Sequence, residues 1–195
     1  MHTLSTIMQK EINKENSDLS LPFRGTGGKF FLIGFMGCGK TYWGRKLSKK
    51  LSFPFFDLDE KIVEHAGKSI PQIFEEEGEE HFRMLEKEVL YLLTESHEKF
   101  VMATGGGTPC FYNNIDYLKK NGTVVWFNCS ADCLYHRLLK EKDKRPLISD
   151  VPNEQLKSFI IKKFSNRKIF YQQANVIINQ DEISLGELVK KIFQE

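Results

Sequence analysis

The sequence predicts an α/β fold, a five-stranded parallel sheet sandwiched by helices and carrying an inserted lid. Three observations predict it. Five short apolar runs, at Phe30–Ile33, Phe53–Asp59, Phe100–Ala103, Thr123–Phe127 and Ala174–Ile178, alternate with helical stretches at the spacing of right-handed βαβ units. The first run leads into Gly34-Phe35-Met36-Gly37-Cys38-Gly39-Lys40-Thr41, the G-x-x-x-x-G-K-T pattern of a phosphate-binding loop. A basic stretch from His136 to Arg145, ending at Pro146, then separates two helices late in the chain.

Composition sets the frame. At 195 residues, with 41% hydrophobic and 28% charged residues, the chain fits one medium domain with a core of its own. A net charge of +2 makes no case for nucleic acid as a partner. No apolar run approaches the roughly 18 residues of a membrane span, so no membrane partner is expected. Cys38, Cys110, Cys129 and Cys133 lack the clustering of a zinc site and read as reduced thiols of a cytoplasmic protein. Residues 1–28 are polar, without the apolar core of a signal peptide and with acidic residues unlike a transit peptide; they read as a flexible extension. Residues 29–195 form the folded domain, with the lid at about 138–152.

The phosphate-binding loop has the context it requires. Phe30–Ile33 reads as a buried strand, and Leu47 and Leu51, four apart, mark the face of the helix that follows. Gly34, Gly37 and Gly39 permit positive φ angles and close approach of an anion. Loop N–H groups and the helix N-terminus then cradle phosphate. Lys40 reaches the β- and γ-phosphates, and Thr41 offers its hydroxyl to Mg²⁺. The loop therefore implies ATP or a similar triphosphate, contacted through Gly34, Gly37, Cys38, Gly39, Lys40, Thr41 and Tyr42. Cys38, beside Lys40 and the loop dipoles, is either an oxidant-sensitive thiol shielded by nucleotide or the occupant of a small-residue slot.

Phe53–Asp59 ends in Asp57-Leu58-Asp59. On a strand, residues two apart share a face, so both carboxylates are expected at the strand's end. One, near Thr41, would serve Mg²⁺; the other would accept a proton or hydrogen bond from a substrate hydroxyl. The alternative for Asp57 is an N-cap of the next helix, Glu60–His65. A long helical stretch from Ile70 to about His97 is split at Gly78, with Ile73, Phe74, Phe82, Leu85, Val89, Leu92 and Leu93 as its apolar side. Arg83 sits within it. It offers either a guanidinium fork for a substrate carboxylate or an ordinary pair with Glu79 or Glu86.

Phe100–Ala103 runs into Thr104-Gly105-Gly106-Gly107, where three glycines cost backbone entropy and make sense as a bare wall against a ligand. This strand lacks a terminal acid, so the Asp57/Asp59 pair takes the metal role. Ile115–Lys120 is a short helix closed at Asn121-Gly122, and Ser130 or Asp132 caps the helix Cys133–Lys140. In the basic segment Arg145 is expected to swing over the phosphates and neutralise transition-state charge, with Arg137 flanking the nucleotide. Asn153–Phe170 is a helix with Leu156, Phe159, Ile160 and Phe164 on one side; its Arg167 either binds the substrate anion or covers the core with its stem. Leu185–Phe193 closes the domain.

Together these motifs resemble the shikimate kinases, relatives of the nucleoside monophosphate kinases among the P-loop NTPases. The resemblance spans residues 29–193. It rests on Gly34–Thr41 with Gly44, Phe56-Asp57-Leu58-Asp59, Gly78-Glu79 with Phe82-Arg83 and Glu86, Thr104–Gly107, Arg145-Pro146-Leu147, and Arg167 with Tyr171. It implies ATP-dependent phosphorylation of the shikimate 3-hydroxyl, giving 3-phosphoshikimate for aromatic amino acid biosynthesis, by a kinase acting as a monomer. It also implies roles: Asp57 in the Mg²⁺ shell with Thr41; Asp59 on the substrate hydroxyls and as proposed base; Arg83 and Arg167 on the carboxylate; Gly105, Gly106 and Gly107 as pocket wall; Arg145 on phosphate and substrate. The catalytic set is Lys40, Asp59 and Arg145. The chain departs from the family in its bulky Tyr42-Trp43, in Cys38, and in the placing of the adenine-side arginine, for which Arg137 is the best match and Lys140 or Lys142 the alternatives. Two rivals are a kinase of the same fold for gluconate or a nucleoside monophosphate, and a nucleotide-binding module without turnover.

Overall fold

The computed structural model describes residues 28–142, 146–179 and 183–194. Its elements are β1 (Lys29–Ile33), α1 (Lys40–Leu51), β2 (Phe55–Asp57), α2 (Leu58–Ala66), α3 (Ile70–Glu76), α4 (Gly78–Ser96), β3 (Phe100–Ala103), a 3₁₀ turn (Thr108–Cys110), α5 (Asn114–Asn121), β4 (Thr123–Asn128), α6 (Ala131–Lys140), α7 (Pro146–Ser149), α8 (Asn153–Tyr171), β5 (Val176–Asn179) and α9 (Leu185–Gln194). The five strands form one parallel sheet in the order β2-β3-β1-β4-β5.

Strand alternation explains why helices cover both faces. Phe30 and Leu32 point to one side with Val101 and Val125; Phe31 and Ile33 point to the other with Phe100, Met102, Val124 and Trp126. A parallel sheet buried on both faces needs apolar strand centres, and the buried runs Phe30–Ile33 of β1, Phe100–Ala103 of β3 and Val124–Phe127 of β4 are apolar. Each such side chain contributes about 1.5–3 kcal/mol by leaving water.

This topology positions the site. From β1 the chain crosses to β2 on one side, and from β3 it crosses over to β4 on the other, so the strand order reverses between β1 and β3. Ligands of open α/β sheets lie at the carboxyl ends of strands at such a point. Leu32 is paired with Ala103, and Thr104 N–H donates to Leu32 O at 3.1 Å. The phosphate loop after β1 and the three glycines after β3 therefore leave the sheet side by side.

Three details differ from expectation. β2 stops at Asp57, and Asp59 lies in the first turn of α2, because the Asp57 side chain accepts from Asp59 N–H at 3.2 Å and caps the helix. Strand alternation therefore does not relate the two acids. Leu92 is 54% exposed; Leu90 takes the buried place, one 3.6-residue turn beyond the buried Glu86. The 3₁₀ turn and α7 are too short to show a periodic signal.

Candidate active site

The loop between β1 and α1 adopts the conformation its glycines permit. Gly34, Gly37 and Gly39 have φ of 137°, 77° and 89°. Lys40 is almost fully buried, and its Nζ donates to Gly34 O at 2.9 Å and Phe35 O at 3.0 Å. A phosphate entering the loop meets this ammonium directly. Thr41 Oγ1 donates to Asp57 Oδ2 at 2.7 Å. Asp57 therefore caps α2 through Oδ1 and meets the loop hydroxyl through Oδ2.

Cys38 is fully buried, with Lys40 Nζ 3.8 Å from its sulfur. Burial removes the access that oxidant sensitivity requires, and the thiol fills a small slot beside Gly34. Tyr42 is 56% exposed next to the loop, edge-on to Trp43, with Lys46 Nζ 4.4 Å above its ring. Arg137 on α6 donates to Gly37 O at 3.2 Å, which holds it against the loop. Arg145 lies outside the described residues. Among the described residues on either side of it, Leu138 and Ile148 are fully buried and Lys142 Nζ donates to Asn153 Oδ1 at 3.1 Å.

The wall formed by Gly105, Gly106 and Gly107 gathers the other half of the site. A methyl built on Gly105 would lie 3.1 Å from Asp59 Oδ1, one on Gly106 3.4 Å from Arg167 Nη1, and one on Gly107 2.9 Å from both Nη atoms of Arg83. Three successive residues thus touch the acid and both arginines. What matters here is space rather than backbone freedom, since none of the three has positive φ. On Gly107 the methyl would also lie 3.0 Å from Arg83 Cζ. Near-equal distances to Nη1, Nη2 and Cζ mean that Gly107 lies over the flat face of the guanidinium. Gly107→Ala should therefore push Arg83 off its seat while the fold persists. We expect at least a tenfold rise in KM for the acceptor, with the KM for ATP and the melting temperature nearly unchanged, as read by steady-state kinetics and a thermal melt.

Arg83 is buried, and its Cζ lies 4.4 Å from the Phe111 ring centroid and 4.9 Å from that of Phe82. It pairs with Glu86 at 2.9 Å and Glu79 at 3.1 Å. Glu86 is itself 1% exposed. Spacing alone allowed this pair to be an ordinary solvated one; its burial makes it part of the site. Arg167 stands over the Phe35 ring at 5.7 Å. Tyr171, fully buried one turn further along α8, donates to Gly106 O at 2.6 Å and pins the wall.

Asp59 is the electrostatic centre. Burial first, then the charges of Asp57 and Glu86, push its carboxyl up to about 6, against the opposing pull of Lys40 and Arg83. A carboxylate poised near neutrality between a phosphate-loop lysine and the Arg83 guanidinium is suited to accept a proton or hydrogen bond from a hydroxyl. Glu86, Thr108, Phe111 and the Tyr171 hydroxyl escaped assignment by sequence. Only Glu86 and Tyr171 carried a signal, through their spacing from Arg83 and Arg167.

Comparison with known proteins identifies the family. The profile of the shikimate kinase family matches residues 36–195. A shikimate kinase of Azobacteroides pseudotrichonymphae is 37% identical over 165 residues, covering 85% of this chain and 97% of the relative. The crystal structure of shikimate kinase from Bacteroides thetaiotaomicron superposes with a TM-score of 0.80 at 36% identity, covering 86% of this chain and 99% of that one. The Acinetobacter baumannii shikimate kinase, solved in complex with shikimate, gives a TM-score of 0.73 at 36% identity over 86% of this chain and 91% of that one.

Proposed function

The chain belongs to the shikimate kinase family and is an ATP-dependent kinase, and from that premise we propose that it transfers the γ-phosphoryl group of ATP to the 3-hydroxyl of shikimate, giving 3-phosphoshikimate and ADP. The observation that carries this reading is the glycine wall. Gly105, Gly106 and Gly107 back onto Asp59, Arg167 and Arg83 in turn, which suits a small ring with a hydroxyl at one end and a carboxylate at the other.

The division of labour follows from the chemistry of each group. Lys40 and the loop N–H groups hold the β- and γ-phosphates, with Tyr42 and Arg137 at the nucleotide's flank. Arg83 and Arg167 take the carboxylate, each charge-assisted hydrogen bond contributing about 1.5–3 kcal/mol. Asp59 orients the acceptor hydroxyl and takes its proton. Thr41 Oγ1 and Asp57 Oδ2, 2.7 Å apart, make an all-oxygen pair that fits a hard cation. Mg²⁺ held there with ATP would supply neutralisation of charge on the phosphates. Arg145, with the basic segment closing over the nucleotide, would stabilise the transferring group and keep water out. All four cysteines are free thiols, which fits a reducing cytoplasm.

The test is ADP release from Mg²⁺-ATP with a panel of acceptors. Shikimate should stimulate release strongly, whereas gluconate and nucleoside monophosphates should not. Release that ignores shikimate would overturn the assignment. The Asp59 carboxyl adds a pH signature. Because the ionised form is the active one and its titration lies at about 6, kcat/KM for shikimate should be flat above that pH and fall about tenfold per unit below it.

A further inference from the structure

We propose that Thr108 is a positioning residue for the acceptor's carboxylate, acting through Glu86 on Arg83. The role rests on the reading of Arg83 as the carboxylate-binding fork. Thr108 follows the glycine wall directly and is fully buried. It is held from two sides by its backbone: its N–H donates to Gly105 O at 3.2 Å, and its carbonyl accepts from Asn114 Nδ2 at 3.0 Å. Its hydroxyl donates to Glu86 Oε1 at 2.5 Å. The other oxygen of Glu86, Oε2, accepts from Arg83 Nη1 at 2.9 Å. Each oxygen of a buried carboxylate thus has one partner, and rotation of the group is fixed.

The guanidinium carries five N–H groups. Nε and Nη2 donate to Glu79 Oε1 at 3.3 and 3.1 Å, and Nη1 donates to Glu86. Among these bonds, one N–H on each Nη is left over. N–H groups left over on a guanidinium are what a substrate carboxylate's oxygens accept. Glu79 is 60% exposed, so its hold is loose and screened by water. The aim of the fork therefore depends on Glu86, and the aim of Glu86 depends on the Thr108 hydroxyl. Valine at 108 would keep the shape and remove the proton that Glu86 accepts.

The experiment is steady-state kinetics on wild type, Thr108→Val, Thr108→Ala and Thr108→Ser, with thermal melts alongside. The two variants without a hydroxyl are expected to raise the KM for shikimate at least fivefold, with kcat and the KM for ATP within twofold. Thr108→Ser should return the shikimate KM to within twofold of wild type. Alanine keeps the question open to test should valine disturb folding. An unchanged shikimate KM in the hydroxyl-free variants overturns the role. So does a Thr108→Ser enzyme as impaired as Thr108→Val, or a loss spread evenly over kcat and both KM values. An inert wild type would overturn the shikimate assignment itself and this role with it, whereas an active wild type with an unaffected Thr108→Val overturns the positioning role alone.

Discussion

Asp59→Asn is expected to lower kcat by a factor of about 10²–10⁴, the usual contribution of a positioned general base, and at the same time to make the protein more stable. The two effects have one cause. Burial, Asp57 and Glu86 raise the carboxyl from 3.8 to about 6. A carboxyl whose pKa is higher in the folded state binds its proton more tightly when folded. The stability this confers is fully present below the unfolded value of about 4 and is lost as pH rises through about 6. At pH 7.5 the ionised Asp59 therefore costs the fold on the order of 3 kcal/mol. Asparagine has no charge to desolvate and removes that cost, so a melting temperature higher by roughly 6–12 °C is expected at pH 7.5. The gain should shrink towards pH 4, where the wild-type carboxyl is protonated too. Thermal melts at both pH values, with turnover measured at the higher, check the pair. A less stable Asp59→Asn variant at pH 7.5 would mean that the acid is not held against its neighbours as described.

Arg83→Ala should raise the KM for shikimate by about 10²–10⁴, the loss of two charge-assisted hydrogen bonds at about 1.5–3 kcal/mol each, while the KM for ATP changes little. The contrast is the informative part. Arg83 lies on α4 behind Gly107, whereas the phosphate loop is held by Lys40. Two further consequences follow from what Arg83 touches. Glu86 would be left buried with only Thr108, an uncompensated charge costing about 3–5 kcal/mol of stability. Asp59 would also lose one of the two positive charges that restrain its titration, so the acid limb of the pH profile should move above 6. Equal losses for both substrates, or a limb that moves down, would remove Arg83 from the carboxylate's side of the site.

Much of this was legible in the sequence because it depends on local rules. The loop Gly34–Thr41 announces itself through spacing, and the positive φ values of its glycines are what that spacing requires. β1, β3 and β4 hold continuous apolar runs, the pattern of a parallel sheet buried on both faces. Three adjacent glycines at a strand end pointed to a bare wall. Other features depend on what lies across space. The strand pattern put Asp57 and Asp59 on one face, but capping ends β2 at Asp57, and it is the first turn of α2 that presents Asp59. Spacing gave Arg83 an ion pair three residues on but could not reveal that Glu86 is 1% exposed. Thr108 gave no signal at all, because its hydroxyl meets a residue 22 positions away. Cys38 lay in the right loop for reactivity, yet its sulfur faces the core, a direction that composition does not carry.

A crystal structure of the chain with shikimate bound tests the central claim most directly. The carboxylate should sit within about 3 Å of both Arg83 and Arg167, the ring should lie flat on Gly106 and Gly107, and the 3-hydroxyl should face Asp59. A reversed pose, with the carboxylate toward Lys40, or shikimate bound away from the glycine wall, would contradict it.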